Sequence, residues 1–152
     1  MTIDIDHFSL AVSDLEAAID FFAQGFGFEV HFVERGMTRQ IASMLGLDGA
    51  SCDLAQLTLN GGGPKLELIA FRHAGIGKAS AHPMTPGMGH VALKTADFEA
   101  TLGRLKTLGA ESLGDITDFS EGRSIYLRTP FHAFIELEEV RPDKATSTQS
   151  GV

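Results

Sequence analysis

Two histidines and two glutamates occupy matching places in two similar halves of the chain. His7 and His90 open segments that align without a gap, and Glu67 and Glu136 lie in the last strand predicted for each half. A carboxylate on a covered sheet face is costly unless it is paired, hydrogen-bonded or bound to a cation. Two imidazoles and two carboxylates suit an octahedral divalent metal, with two positions left for water or substrate. We therefore expect a metal site built from both halves.

All four side chains belong to predicted strands and point away from the helix side of their sheet. Residues 5–12 alternate between large apolar and smaller or polar side chains, which places His7 opposite the apolar set. Glu67 and Glu136 are each flanked by apolar residues that point the other way. The four side chains are therefore expected on the inner faces of the fold, with His90 on the same side as the other three.

Apolar periodicity predicts an α+β fold made of two βαβββ modules. Residues 1–71 form the first module, with a helix at 15–24 capped by Ser13 and Glu16, and a short extra helix between residues 38 and 46. Residues 72–88 are expected to form a linker, 89–140 the second module with one strand at 111–117, and 141–152 a disordered tail.

Composition and charge exclude several partners. The 152-residue chain has a formal net charge of −8 and no run of lysine or arginine, so neither nucleic acid nor an anionic membrane is expected to bind. No apolar run approaches the roughly 20 residues of a membrane span. A single cysteine, Cys52, suits a reducing compartment, and the N-terminus lacks a signal-peptide pattern. These features predict a cytoplasmic protein with a small-molecule substrate.

The sequence resembles the vicinal oxygen chelate superfamily, also called the glyoxalase, bleomycin resistance and extradiol dioxygenase family. The resemblance rests on residues 7–28, 65–68, 89–110 and 122–137. It implies paired βαβββ modules in a cupped mixed sheet around one divalent metal, which is Ni, Co, Mn, Fe or Zn. By this resemblance the metal ligands are His7, Glu67, His90 and Glu136. It also implies a homodimer, and it leaves open whether one chain or two chains complete each site.

The ligand set favours one reaction class over others in that family. A His, Glu, His, Glu set resembles bacterial glyoxalase I, whereas extradiol dioxygenases and fosfomycin-resistance enzymes typically keep two histidines and the last glutamate. A bound cation acidifies the C–H beside a chelated carbonyl, and Glu67 or Glu136 can then move the proton. We therefore expect a metal-dependent lyase, isomerase or epimerase. The alternatives are an iron-dependent extradiol ring-cleaving dioxygenase and a non-enzymatic binding protein of the bleomycin-resistance type.

Other residues bear on the substrate. Ala11 stands where bacterial glyoxalase I usually has an arginine that meets glutathione, which argues against a glutathione substrate. Arg39 and Arg123 are candidate anion contacts, and Tyr126 is either a hydrogen-bond donor to substrate or a packed side chain. Residues 129–133 replace the Asp-Pro-Asp-Gly-Asn turn common in the family, so this turn must close differently. The remaining histidines are expected on the surface or in loops: His31, His73, His82 and His132.

Overall fold

Two successive βαβββ units form the chain, as the apolar periodicity predicts. The computed structural model describes residues 3–141, so the tail predicted at 141–152 lies outside the described residues except for Arg141. The first unit comprises β1 (His7–Ala11), α1 (Leu15–Phe26), β2 (Glu29–Met37), α2 (Arg39–Leu45), β3 (Ser51–Leu59) and β4 (Gly62–Arg72). The second comprises β5 (Val91–Thr95), α3 (Phe98–Thr107), β6 (Glu111–Ser112), β7 (Thr117–Asp118), β8 (Arg123–Arg128) and β9 (Phe134–Glu139).

Each unit forms its own sheet, and the two sheets share one topology. The strand orders are β1-β4-β3-β2 and β5-β9-β8-β6, with β7 paired to β8. The first and last strands of each unit are parallel neighbours, and the other pairs are antiparallel. This pairing brings the histidine at the start of each unit beside the glutamate at its end. It also leaves β1 and β5 as the edge strands of their sheets.

The two units join through their helices, which pack against each other inside one apolar core. A methyl group added at buried Gly25 of α1 would lie 2.8 Å from Cδ2 of Leu105 in α3, so the glycine permits the close approach of these helices. Phe131, from the turn before β9, packs edge-on to Phe21 with ring centroids 5.4 Å apart and lies 6.0 Å from Phe22. The core therefore lies between the units, behind both sheets.

The helix caps differ from the sequence expectation. Asp14, not Ser13, caps α1, because its carboxylate accepts a hydrogen bond from the Ala17 N–H at 3.0 Å. Asp97 caps α3 in the same way, through the Ala100 N–H at 3.3 Å. The capping box predicted at Ser13 is therefore wrong: a carboxylate both accepts the N–H hydrogen bond and interacts favourably with the helix dipole.

The strand predicted at residues 111–117 is divided. Within this stretch, β6 and β7 each pair with β8 in an antiparallel ladder. Residues 113–116, which lie between them, are not part of either strand. Gly114 lies in this interruption, where a residue without a side chain weakens strand structure. The interruption matters because Leu113, Gly114 and Asp115 line the cavity described below.

The turn at residues 129–133 closes through a threonine. The Thr129 hydroxyl donates to the Ala133 carbonyl at 2.9 Å and accepts from the Ala133 N–H at 3.0 Å. His132 has a φ of 67°, in the left-handed region that favours glycine. The side-chain hydrogen bonds thus hold a turn whose sequence differs from the family pattern.

No helix within residues 3–141 is long and apolar enough to cross a membrane.

Candidate metal and substrate site

The first half-site pairs His7 with Glu67 on the open face of the first sheet. The His7 Nε2 atom lies 3.6 Å from Oε1 of Glu67, and its Nδ1 lies 2.8 Å from a carboxylate oxygen of Asp6. Donation from Nδ1 to Asp6 leaves the Nε2 lone pair facing Glu67. The buried Glu67 carboxylate accepts hydrogen bonds from Ser9 Oγ at 3.1 Å and Gln56 Nε2 at 3.2 Å. These neutral donors hold the carboxylate without neutralising its charge.

The second half-site pairs His90 with Glu136 on the equivalent face of the second sheet. The His90 Nε2 atom lies 3.1 Å from Oε2 of Glu136, and Ser124 Oγ donates to Oε1 at 2.5 Å. His90 itself immediately precedes β5, which begins at Val91. Tyr126 packs edge-on to the His90 ring, with centroids 4.8 Å apart and its hydroxyl 3.4 Å from Nε2.

Tyr126 faces the same side as the glutamate because the two residues are paired across β8 and β9. Burial, together with the nearby charge of Glu136, raises the pKa of the Tyr126 phenol. The hydroxyl therefore keeps its proton at neutral pH and can donate it in a hydrogen bond. The substrate contact predicted for Tyr126 stays a prediction.

The chemistry of each half-site fits a divalent cation, but the four predicted ligands form two separate pairs within one chain. Each half offers one imidazole nitrogen and one carboxylate oxygen, which are ligands for divalent metals of intermediate hardness. Among residues 3–141, no three His, Cys, Asp or Glu side chains are grouped closely enough to hold a metal together. The two pairs lie on separate sheets because the units pack through α1 and α3. One chain thus presents two half-sites.

A cavity of about 550 Å³ opens beside the second half-site. His90, Tyr126 and Glu136 line one part of it, and apolar side chains line much of the rest. The apolar contributors come from the 72–88 linker, from the interruption between β6 and β7, and from the turn region after β7: Pro83, Met84, Leu113 and Phe119. The cavity therefore places space for a small molecule next to a histidine and a carboxylate.

The family of the chain follows from its sequence match and its fold together. A family model of the Glyoxalase/Bleomycin resistance protein/Dioxygenase superfamily matches residues 4–137. The chain belongs to this superfamily. No curated protein matches the chain in sequence.

Solved structures of the superfamily share the fold. A glyoxalase family protein from Bacillus cereus has 23% identity and a TM-score of 0.81, over 93% of this chain and 97% of that one. A fosfomycin resistance protein from Listeria monocytogenes, complexed with Mn(II) and 1S,2S-dihydroxypropylphosphonic acid, has 18% identity and a TM-score of 0.61, over 91% and 90%. An antibiotic binding protein from a Streptomyces species has 22% identity and a TM-score of 0.60, over 93% and 99%. At these identities the likeness concerns the fold alone.

The extra helix of this superfamily member lies on the side of the sheet that carries Glu67. Ile41 of α2 packs with Leu54 and Ile69, and Ile69 points to the same face of β4 as Glu67. Arg39 is exposed at the first residue of α2. The helix therefore borders the face of the sheet that carries Glu67, and the anion contact predicted for Arg39 stays a prediction.

Arg123 is engaged elsewhere. Its guanidinium pairs with Glu139 at 2.9 Å and with Glu99 at 2.6 Å, and it lies over the Phe98 ring of α3, 4.7 Å from the centroid. These carboxylates raise the pKa of Arg123, while Arg123 lowers the pKa of Glu139 to about 2. The neighbouring Ser124 points the other way, toward the second half-site. Arg123 therefore lies on the helix side of the sheet, and the substrate contact predicted for it stays a prediction.

Sequence reasoning missed the cavity's apolar wall. Met84 belongs to the 72–88 segment, whose lack of periodicity predicts only a connection. Phe119 lies in a turn region, outside the predicted strands, and the sequence shows only that it is aromatic. Its exposure, which marks it as a binding residue, is a feature of the structure. His82, expected in a loop, also lines the cavity. These residues come together only through tertiary structure.

Proposed function

We propose that this protein is a metal-dependent lyase, isomerase or epimerase that moves a proton beside a carbonyl of a substrate chelated through adjacent oxygens. The observation that carries the proposal is the pair of matched half-sites, His7 with Glu67 and His90 with Glu136, whose carboxylates are held by neutral hydroxyl and amide donors. A divalent metal bound there would polarise the carbonyl and lower the pKa of the adjacent C–H. The protein groups then position the substrate and move the proton.

We further propose that each complete site forms between two copies of the chain. The edge strands β1 and β5 carry or adjoin the histidines, and an unpaired edge is a template for pairing with another chain. Ile5 lies just before β1 and Phe8 lies on it, and both are large apolar side chains left exposed in the single chain. A two-fold dimer that sets β1 of one copy beside β5 of the other would cover them and bring the four ligands together twice.

Glu136 is the better placed base of the two glutamates. Both oxygens of Glu67 accept hydrogen bonds, from Ser9 and Gln56, and the residue is 9% exposed. Glu136 accepts from Ser124 on Oε1, whereas its Oε2 lies at the cavity wall, 3.1 Å from Nε2 of His90, a nitrogen that a bound metal would occupy. A base must reach the substrate proton within about 2.6–3.2 Å, directly or through one water. Glu136 therefore takes the proton on Oε2, and Glu67 serves as a fixed ligand.

The first test is metal content followed by solvent exchange. Purified protein is expected to retain or take up about one divalent metal ion per chain, measured by mass spectrometry. With metal bound, a panel of 2-oxo and 2-hydroxy carbonyl compounds in D₂O should include at least one that gains deuterium beside the carbonyl, followed by proton NMR. Protein that neither holds nor takes up a divalent metal would contradict the proposal.

A matched pair of variants tests the base. Glu136→Gln should lower the exchange rate at least about a hundredfold, because general-base catalysis typically contributes that much. Glu138→Gln removes the same charge from the same face of β9, where Glu138 pairs with Lys94, and should leave exchange close to wild type. Full exchange by the Glu136 variant with metal still bound would refute its role.

Two other functions remain outcomes of the same measurements. Oxygen consumption with catechols by the iron-loaded protein, without deuterium exchange into carbonyl compounds, would favour a ring-cleaving dioxygenase. The fold similarity to an antibiotic binding protein and the apolar cavity together favour the second alternative, a binding protein. Tight binding of an apolar small molecule by protein that takes up no metal would support that alternative.

A further inference from the structure

We propose that the substrate is an uncharged molecule with two ends, an oxygen-bearing end held beside His90 and Glu136 and a ring-sized apolar end packed between Phe119 and Met84. This inference rests on the proposed function and adds to it the class of substrate. It follows from the shape, the lining and the charge of the cavity beside the second half-site.

The size and lining of the cavity fit an apolar group. Its volume of about 550 Å³ falls within the range of roughly 300–1,000 Å³ that is usual for small-molecule sites. Met84 is 80% exposed and Phe119 is 55% exposed, so two large apolar side chains at the cavity wall have little protein packed over them. Grouped exposed apolar side chains mark binding sites. An apolar substrate group would cover both.

The charge of the lining opposes an anionic substrate. Among the described residues, the cavity wall includes no lysine or arginine, and its carboxylates are Asp115 and Glu136. The basic side chains of the adjoining, wider cavity are already paired: Lys94 with Glu138, Arg123 with Glu139 and Glu99, and Arg141 with Asp118 and Glu139. A bound divalent cation would balance Glu67 and Glu136, but this chain offers no basic side chain in the described lining to balance Asp115. A carboxylate or phosphonate arm would therefore meet a like charge there.

One group of polar side chains in the cavity is linked by hydrogen bonds around Glu136. The His90 Nε2 atom lies 3.1 Å from Oε2 of Glu136 and 3.4 Å from the Tyr126 hydroxyl, and Ser124 donates to Oε1 of Glu136. Phe119 and Met84 come from the turn region after β7 and from the linker, outside this hydrogen-bonded group. A substrate that chelates the metal would place its oxygen-bearing end at this group, which leaves its other end to the exposed apolar side chains.

The linker is a structural wall and not only a connection. The Ser80 hydroxyl donates to the His82 carbonyl at 2.7 Å, and the Met88 N–H donates to the Thr85 carbonyl at 2.9 Å. These local hydrogen bonds flank Met84. Methionine fills irregular apolar space well because its side chain is unbranched and polarizable. Met84 is therefore suited to close over a ring without tight shape requirements.

The test compares three bidentate oxygen chelators that share a hydroxamate head: acetohydroxamate, benzohydroxamate and phosphonoacetohydroxamate. Their dissociation constants are measured by calorimetry on the nickel-loaded full-length protein. Benzohydroxamate should bind at least about tenfold more tightly than acetohydroxamate, since the phenyl group buries more apolar surface. The phosphonate compound should bind more weakly than acetohydroxamate.

Three variants locate the effect. Phe119→Ala and Met84→Ala should each reduce the benzohydroxamate preference to below about threefold, because each removes apolar surface from the wall. Ile116→Ala is the matched control. This residue is also exposed, at 40%, and lies close in sequence to Phe119, but it does not line the cavity. It should retain the wild-type preference.

The outcomes separate the two proposals. Protein that binds no nickel refutes the proposed function and this inference with it. Protein that binds nickel and all three hydroxamates, with a preference near one or in favour of the phosphonate, overturns this inference alone. A preference for benzohydroxamate that persists in both the Phe119 and Met84 variants also overturns it.

Discussion

A subunit-mixing experiment tests whether two chains share each metal site. One variant carries His7→Ala with Glu67→Gln, and the other carries His90→Ala with Glu136→Gln. Glutamine keeps the size of each buried carboxylate, and both histidine side chains are partly exposed, so the fold should survive these changes. Each variant alone lacks one half-site in every copy and should bind almost no metal.

Mixed dimers should recover sites in a fixed proportion. In a two-fold dimer of the two variants, one site combines both damaged halves and the other combines both intact halves. Random mixing makes about half of the dimers mixed, so about one quarter of the wild-type metal should return. Mixed dimers isolated through two different affinity tags should hold about half of the wild-type metal.

The assay is metal content by mass spectrometry after gel filtration, and it needs no substrate. Refolding each variant with itself is the control and should restore nothing. Isolated mixed dimers with no more metal than either parent would refute the shared site. The same conclusion would follow if either variant alone kept the full metal content. Metal would then bind although only one kind of half-site is intact, so no second half-site would be needed.

Three further predictions concern the fold. Phe131→Ala should lower the free energy of unfolding by about 3–5 kcal/mol in urea titrations, because the fully buried ring packs between the units; a loss below about 1 kcal/mol would contradict this packing. His132→Gly should raise it by about 0.5–1 kcal/mol by relieving a positive φ, with Asn60→Gly, also at positive φ, giving a smaller gain. Glu139 has a pKa lowered to about 2 by Arg123, so its stabilising effect is present above about pH 4.5 and is lost as pH falls toward 2. The urea midpoints of wild type and Glu139→Gln should therefore converge in acid, and a constant difference would refute this ion pair.

The sequence was sufficient for the fold and for the faces that carry the half-sites. Strand alternation has a period of two, so a glutamate flanked by apolar residues must point away from them, as Glu67 and Glu136 do. The repeat added the equivalence of His7 and His90. Local hydrogen-bond competition was harder to predict, since Ser13 and Asp14 are both good cap residues and only the backbone geometry selects Asp14.

Features that depend on tertiary packing were not accessible from the sequence. In the sequence Arg123 directly follows Gly122 and looks available, but the structure makes it the first residue of β8 and brings Glu99 from α3 and Glu139 from β9 to its guanidinium. Met84 and Phe119 lie far apart in sequence and meet only across the cavity. Neither periodicity nor a motif encodes such encounters, because each partner comes from a different element.

The separation of the half-sites follows from how the helices pack. Gly25 lets α1 approach Leu105 of α3, and Phe131 fills the space beside them. The apolar core therefore lies on the helix side of both sheets, and the faces that carry Glu67 and Glu136 point away from it. β1 and β5 each pair with one strand of their own sheet and leave their outer side unpaired. The same contacts that stabilise the monomer therefore keep each histidine and glutamate pair from meeting the other. In a dimer that shares its sites, metal binding and chain association would consequently strengthen each other by the same factor.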